Sequence, residues 1–205
     1  MNRTGWLVLV PTEKELQLLK FEAGTTVEIC GFGPIAAAAR TAGLIHRHNP
    51  ERVLLIGIAG GYGNRIPVGE ARLFSVVKSV GIGIGCGKSH VAAERSGWLQ
   101  VAESGIGDQL TLARENPNDQ NLLLTVCSAA ANEHEAMGRL QVYPDAVAED
   151  MEGFGVALAA SLANIPVQIV RGISNVAGDR DHSNWRIEDA LESAGKLAHS
   201  IIYHE

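Results

Sequence analysis

Trp6 to Val10 and Arg52 to Ile58 are apolar with almost no alternation. A strand open to solvent on one side alternates apolar and polar residues, whereas a strand covered on both sides does not. Val167 to Ile173 reads as a third buried strand. Segments with helical punctuation lie between such runs. Thr12 is a helix-capping residue with Glu15 three positions on, the pattern of a capping box, and Leu16, Leu18 and Leu19 continue that helix. Gly31-Phe32-Gly33-Pro34 is a turn that places Pro34 near the first position of the Ala-rich helix Ile35 to His48. Met151 to Ala163 is a helix of small residues closed by Asn164 and Pro166, and Ile187 to Tyr203 is amphipathic. Thr25 to Cys30, Ala71 to Val80 and Leu122 to Cys127 are further strands, and Gly60-Gly61 is expected to stop the one beginning at Arg52. This alternation predicts an α/β layered sheet covered on both faces. One domain spanning 1–205 is expected, with the Gly-rich stretch Gly81 to Gly87 as a loop inside it.

Bulk properties exclude several classes. Hydrophobic residues make up 46% and charged residues 20%, which fits a globular chain and not a disordered one. The net charge is -6 and no basic cluster stands out, which argues against a nucleic-acid partner. Cys30, Cys86 and Cys127 are odd in number and far apart, so they fit neither a disulfide framework nor a zinc site. No basic-plus-apolar leader is seen, and the apolar runs are too broken to span a membrane. A cytoplasmic location is the expectation.

Several side chains can carry chemistry. Gly31-Phe32-Gly33 partly matches a dinucleotide fingerprint, but its third glycine would fall at Ala36. Asn132-Glu133-His134-Glu135 has metal-ligand residue types, yet no second cluster completes a site, and a solvated helix face is expected. Glu15 serves either as part of the cap or as a general base, since the turn after a first strand opens at the sheet edge where α/β proteins place ligands. Glu149-Asp150 is an acidic pair read at a helix start. Glu152 enters an apparently buried helix, where a carboxylate needs a partner, and a vicinal diol supplies two donors. Asn175 follows the buried strand Val167 to Ile173. Its amide donates and accepts at once, which suits the N7 and O6 edge of a 6-oxopurine, or else it forms a local turn.

Five segments together resemble the nucleoside phosphorylase and nucleosidase superfamily. They are Pro11-Thr12-Glu13-Lys14-Glu15, Gly31-Phe32-Gly33-Pro34, Gly57-Ile58-Ala59-Gly60-Gly61, Glu149-Asp150-Met151-Glu152-Gly153 and Arg171-Gly172-Ile173-Ser174-Asn175. The stretch Ile173 to Asp181, followed by Trp185-Arg186-Ile187, is similar to the futalosine hydrolases of menaquinone biosynthesis. The resemblance implies a three-layer sandwich around a mixed, mostly parallel sheet. It implies that Glu152 binds the ribose hydroxyls, Met151 packs on the sugar and Glu15 positions the attacking water. It also implies substrate contacts from Ala59, Gly60 and Ser128. Asn175 falls where adenine-cleaving relatives carry an aspartate, which implies a 6-oxopurine. No cofactor or metal is implied. The partners implied are a small purine nucleoside and further copies of the chain.

The expected reaction is hydrolysis of an N-ribosidic bond through an oxocarbenium-like sugar. Arg180 and Trp185 are candidates to hold a carboxylated aromatic tail. The alternative is a loop salt bridge from Arg180 to Asp179 or Asp181, with Trp185 anchoring the terminal helix. Phosphorolysis is the competing reading, although Gly33, Arg40, Arg65 and Arg72 do not form an obvious phosphate cluster in the sequence. Cleavage of methylthioadenosine and a non-catalytic nucleoside sensor are the others.

Overall fold

A computed structural model describes residues 4–113 and 121–203. In chain order the elements are β1 (Thr4–Val10), α1 (Glu13–Leu16), β2 (Thr26–Ile29), α2 (Pro34–His48), β3 (Pro50–Gly61), β4 (Ala71–Phe74), β5 (Val76–Ser79), β6 (Gly83–Ile84) and β7 (Val91–Ala92). There follow β8 (Gln109–Thr111), β9 (Leu122–Thr125), α3 (Glu133–Val142), β10 (Ala146–Asp150), α4 (Gly153–Leu162), β11 (Val167–Val176) and α5 (Ile187–Tyr203). Among the described residues nine strands form one sheet in the order β2-β1-β3-β10-β9-β5-β8, with β11 pairing β3 and β4 pairing β11. The β1–β2, β1–β3, β3–β11, β9–β10 and β5–β9 ladders are parallel. The β3–β10, β4–β11 and β5–β8 ladders are antiparallel. The sheet is thus mixed and mostly parallel, as expected.

The lack of alternation in the apolar strands has a direct cause. Leu7, Leu9, Val53, Leu55 and Ile169 face one core, shared with Ala37 and Leu44 of α2 and Phe154, Val156 and Ala157 of α4. Their neighbours Val8, Val10, Leu54, Ile56 and Val170 face the other, shared with Leu191, Ala194 and Ala198 of α5. Helices therefore cover both faces, and the three layers follow. The small residues of α4 have an equally local reason. A Cβ on Gly155 would run into Pro34 O and Ala38 N of α2, so the two helices touch backbone to backbone.

Several expected boundaries move. Gly60-Gly61 does not stop β3, because both residues pair with β10 and β11. The stretch Ala71 to Val80 is two strands. At Ser75 the chain changes partners, from β11 to β9 and β8. The helix begun at Thr12 ends at Leu16. Glu149 and Asp150 close β10 and do not begin a helix. Asn175 lies inside β11, not beyond it. The Gly81 to Gly87 stretch includes β6, which pairs with β7. Asn132 caps α3 by accepting Glu135 N, and Glu133, His134 and Glu135 are exposed in its first turn, the solvated helix face expected. Among the described residues no helix is long and apolar enough to cross a membrane.

Candidate active site

A cavity of about 530 Å³ opens where the parallel strands end. The short helix α1 after β1 supplies Glu15, the end of β3 supplies Ala59 and Gly60, and the link from β10 to α4 supplies Met151 and Glu152. Asn175 comes from β11, and Arg180 and Trp185 come from the loop before α5. Every site residue expected from the sequence lines this cavity except Ser128, whose place in the wall is taken by Val126 and Ala129.

The centre of the site is a residue the sequence reading passed over. Arg171 is fully buried in β11. Its Nε and Nη2 donate to Asp150 Oδ2 at 3.0 and 2.6 Å, and Nη2 also donates to Glu152 Oε2 at 3.1 Å. The available signal was the charge itself, since a guanidinium in an apolar strand demands buried carboxylates. Burial works against its charge, but Asp150, Glu152 and Glu15 outweigh that and hold Arg171 above its ordinary value. Its Nη1 has no hydrogen-bond partner among the described residues. That nitrogen lies against Gly57, where an added Cβ would collide with it and stand 2.7 Å from Glu15 Oε1. Glu15 and the unpartnered arm of Arg171 thus meet over one glycine.

Glu15 keeps the capping contacts read from its position and also reaches the cavity. Its backbone N–H donates to Thr12 Oγ1, its Oε2 accepts the Thr12 hydroxyl at 2.6 Å, and its Oε1 accepts Ile58 N at 3.0 Å. It is 8% exposed and lines the cavity.

The partner that a buried Glu152 needs is supplied in part by the protein. Besides Arg171 it accepts Gly33 N at 3.0 Å on Oε1, which ties the start of α4 to the start of α2. Helix capping falls elsewhere: Asp150 accepts Gly153 N and Thr125 accepts Phe154 N. Each Glu152 oxygen therefore has one protein donor and room for a second. Burial pushes the carboxyl up to about 7, against the pull of Arg171 and with the help of Asp150.

Asn175 is held by its own turn. Its Nδ2 donates to Val176 O at 2.9 Å and Asp179 O at 3.3 Å, and its Oδ1 accepts the Ser174 hydroxyl at 2.8 Å. As placed it offers the cavity an acceptor. Donation to a ligand requires release of a carbonyl, and the 3.3 Å bond to Asp179 is the weaker one.

The loop salt bridge considered for Arg180 does not form. The Asp179 carboxylate takes Asp181 N and Asn184 Nδ2, and Asp181 takes Ser183. Arg180 instead lies over the Trp185 ring at 5.0 Å, and His182 stacks on that ring at 4.5 Å. The Trp185 N–H donates to Asp179 O at 3.1 Å, so the ring is anchored as well as exposed to the cavity.

Gly33, Arg40, Arg65 and Arg72 do not meet in the cavity. Gly33 N is engaged by Glu152, and neither Arg40, Arg65 nor Arg72 lines the cavity. Among the described residues no group of three His, Cys, Asp or Glu is arranged to hold a metal.

Comparison with known proteins places this geometry. Residues 115–204 match the model of the Phosphorylase superfamily. The chain is 30% identical over 201 residues to the futalosine hydrolase of Streptomyces coelicolor, covering 89% of this chain and 82% of that one. The chain belongs to the phosphorylase and nucleosidase superfamily. A second member, the 5′-methylthioadenosine/S-adenosylhomocysteine nucleosidase of Colwellia psychrerythraea, is 29% identical over 182 residues, covering 84% of this chain and 74% of that one. The solved structure of Helicobacter pylori futalosine hydrolase superposes with a TM-score of 0.78, covering 98% of each chain at 13% identity. At that identity the likeness speaks for the superfamily's fold.

Proposed function

We propose that this enzyme of the nucleosidase family hydrolyses the N-ribosidic bond of a purine nucleoside, and that its substrate is futalosine. The observation that carries the reading is the convergence of Glu15 and Glu152 on one cavity around the buried Arg171. Glu152 has a free acceptor site on each oxygen for a ribose hydroxyl. A water between Glu15 and the unpartnered Nη1 of Arg171 has a base on one side and a donor on the other, so it is held and partly deprotonated. As the bond breaks, the sugar turns cationic and the purine gathers negative charge. The buried carboxylates offset the first charge, and the Asn175 amide, exchanging Asp179 O for the base, offsets the second; Glu15 takes the proton of the attacking water and solvent protonates the departing base.

Two features favour futalosine. Asn175 stands where protonation of a 6-aminopurine would call for an acid, and an amide suits a 6-oxopurine instead. Arg180 over Trp185 gives a cation and a flat ring at the cavity rim, which fit a carboxylated aromatic substituent. Hydrolysis is favoured over phosphorolysis because Gly33 N and the three arginines are not available to an anion in the cavity.

The test is release of hypoxanthine from futalosine and from inosine, each with and without phosphate. Turnover of futalosine independent of phosphate is expected. A strict phosphate requirement would replace hydrolysis by phosphorolysis, and turnover of methylthioadenosine alone would overturn the 6-oxopurine assignment. Arg180→Ala is expected to damage futalosine cleavage far more than inosine cleavage. Equal losses on the two substrates would return Arg180 to a role in the loop.

A further inference from the structure

One wall of the cavity carries a second set of polar groups that the scheme above leaves unused. Glu149, next to the Arg171 partner Asp150, is 4% exposed and reaches the cavity. Its Oε1 accepts Ala130 N at 2.8 Å, and its Oε2 accepts the Tyr62 hydroxyl at 2.7 Å and Arg139 Nη1. Arg139 continues with Nη2 to Ser128 O at 2.6 Å. Tyr62 follows β3, Glu149 ends β10 and Arg139 lies in α3, so three elements converge on one short segment. The two backbone groups they hold, Ser128 O and Ala130 N, flank Ala129, the residue of that segment that lines the cavity. The Asn175 turn leans on the same side. A Cβ on Gly178 would strike the backbone of Asn132, so the chain after Asn175 packs directly against the chain after Ala129.

A part-buried ion pair such as Arg139–Glu149 adds little net stability, because desolvation offsets much of the attraction. What such a pair does well is fix geometry. Here the groups fixed are backbone groups in a cavity wall, on the side where Asn175 meets the base. We infer that Tyr62, Glu149 and Arg139 are positioning residues that hold Ala129 against the purine and so set which purine the cavity accepts. They act through Ala129 and take no part in the breaking bond. The inference rests on the nucleosidase reading and names a device within that site.

The experiment compares the wild type with Arg139→Lys, Glu149→Gln and Tyr62→Phe. Calorimetry gives the affinities for hypoxanthine and adenine, steady-state kinetics on the best nucleoside substrate give KM and kcat, and circular dichroism gives the folded fraction. Loss of one anchoring hydrogen bond is expected to weaken binding of the preferred base about tenfold. KM should rise with it, kcat should change little, and the preference between the two bases should shrink. A merely structural role would lower both affinities together, in step with the folded fraction. If Arg139→Lys does not fold, Tyr62→Phe decides, since it removes one hydroxyl and keeps the ion pair. Unchanged preference and KM in the folded variants, with an active wild type, would overturn this inference alone. A wild type that binds neither base and cleaves no purine nucleoside would overturn the nucleosidase reading, and this one with it.

Discussion

At the scale of single residues the site is governed by an imbalance: two buried carboxylates, Asp150 and Glu152, share one guanidinium. Glu152 bears the consequence, with a carboxyl pushed up to about 7 by burial. If it must be ionised to accept the diol, kcat/KM rises with pH through about 7, and this acid limb should vanish in Glu152→Gln. The same substitution should lower kcat/KM by one to two orders of magnitude, from loss of roughly 1.5–3 kcal/mol in a charged hydrogen bond. Stability runs the other way. The folded value lies above the unfolded one of about 4.3, so the fold favours the protonated form. That contribution is complete below the unfolded value and is lost as pH rises through about 7. Urea unfolding should therefore find Glu152→Gln relatively more stable above neutrality than in acid. Arg171→Met should cost about 3–5 kcal/mol in the same assay, because it strands both carboxylates. A loss below about 1 kcal/mol would show that they do not need the guanidinium. Residue chemistry was unevenly legible in the sequence. Glu15, Glu152 and Asn175 stand beside turn and cap signals that mark a sheet edge. Arg171 sits amid apolar neighbours, and periodicity treats it as one more strand position. Ser128 was one place off, because a loop's inward residue depends on distant partners, here Arg139 and Glu149.

At the scale of elements, a segment is legible in the sequence where one face or two must be buried. The strands β1, β3 and β11 and the helices α2 and α5 are all visible from their apolar content. Strand pairing is not legible in this way. Nothing local in Ala71 to Val80 shows that Ser75 is where the chain trades one neighbour strand for another. Nor does Gly60-Gly61 reveal that both glycines remain in the ladder. The α2–α4 contact was legible only as a run of small residues, yet it has a functional edge: Glu152 and Gly33 bond across the two helix starts. Gly155→Ala should force the helices apart at a cost of about 1–3 kcal/mol. Because the separation also stretches the Glu152–Gly33 bond, KM for the nucleoside should rise at temperatures where the variant remains folded. Thermal melts paired with kinetics at low temperature separate the two effects, and an unchanged KM would unlink the crossing from the site.

At the scale of the whole molecule, one sheet carries packed cores on two faces. Adjacent residues of β3 belong to different ones: Leu54 packs toward α5, Leu55 toward α2 and α4. Leu54→Ala and Leu55→Ala should each cost about 2–5 kcal/mol. Both should move a single transition, seen alike by circular dichroism and tryptophan fluorescence, since neither layer can detach and leave the other's strands intact. Two separate transitions would mean that the layers unfold independently. The sharing of the Asp179 carbonyl between Asn175 and Trp185 has its own consequence at this scale. A base that draws the Asn175 amide away leaves that oxygen to the indole alone and alters the polarity around the ring. The molecule thus carries an optical gauge of its own occupancy. Emission from Trp185, isolated by replacing Trp6 and Trp98 with Phe, should report binding of the purine without any added label.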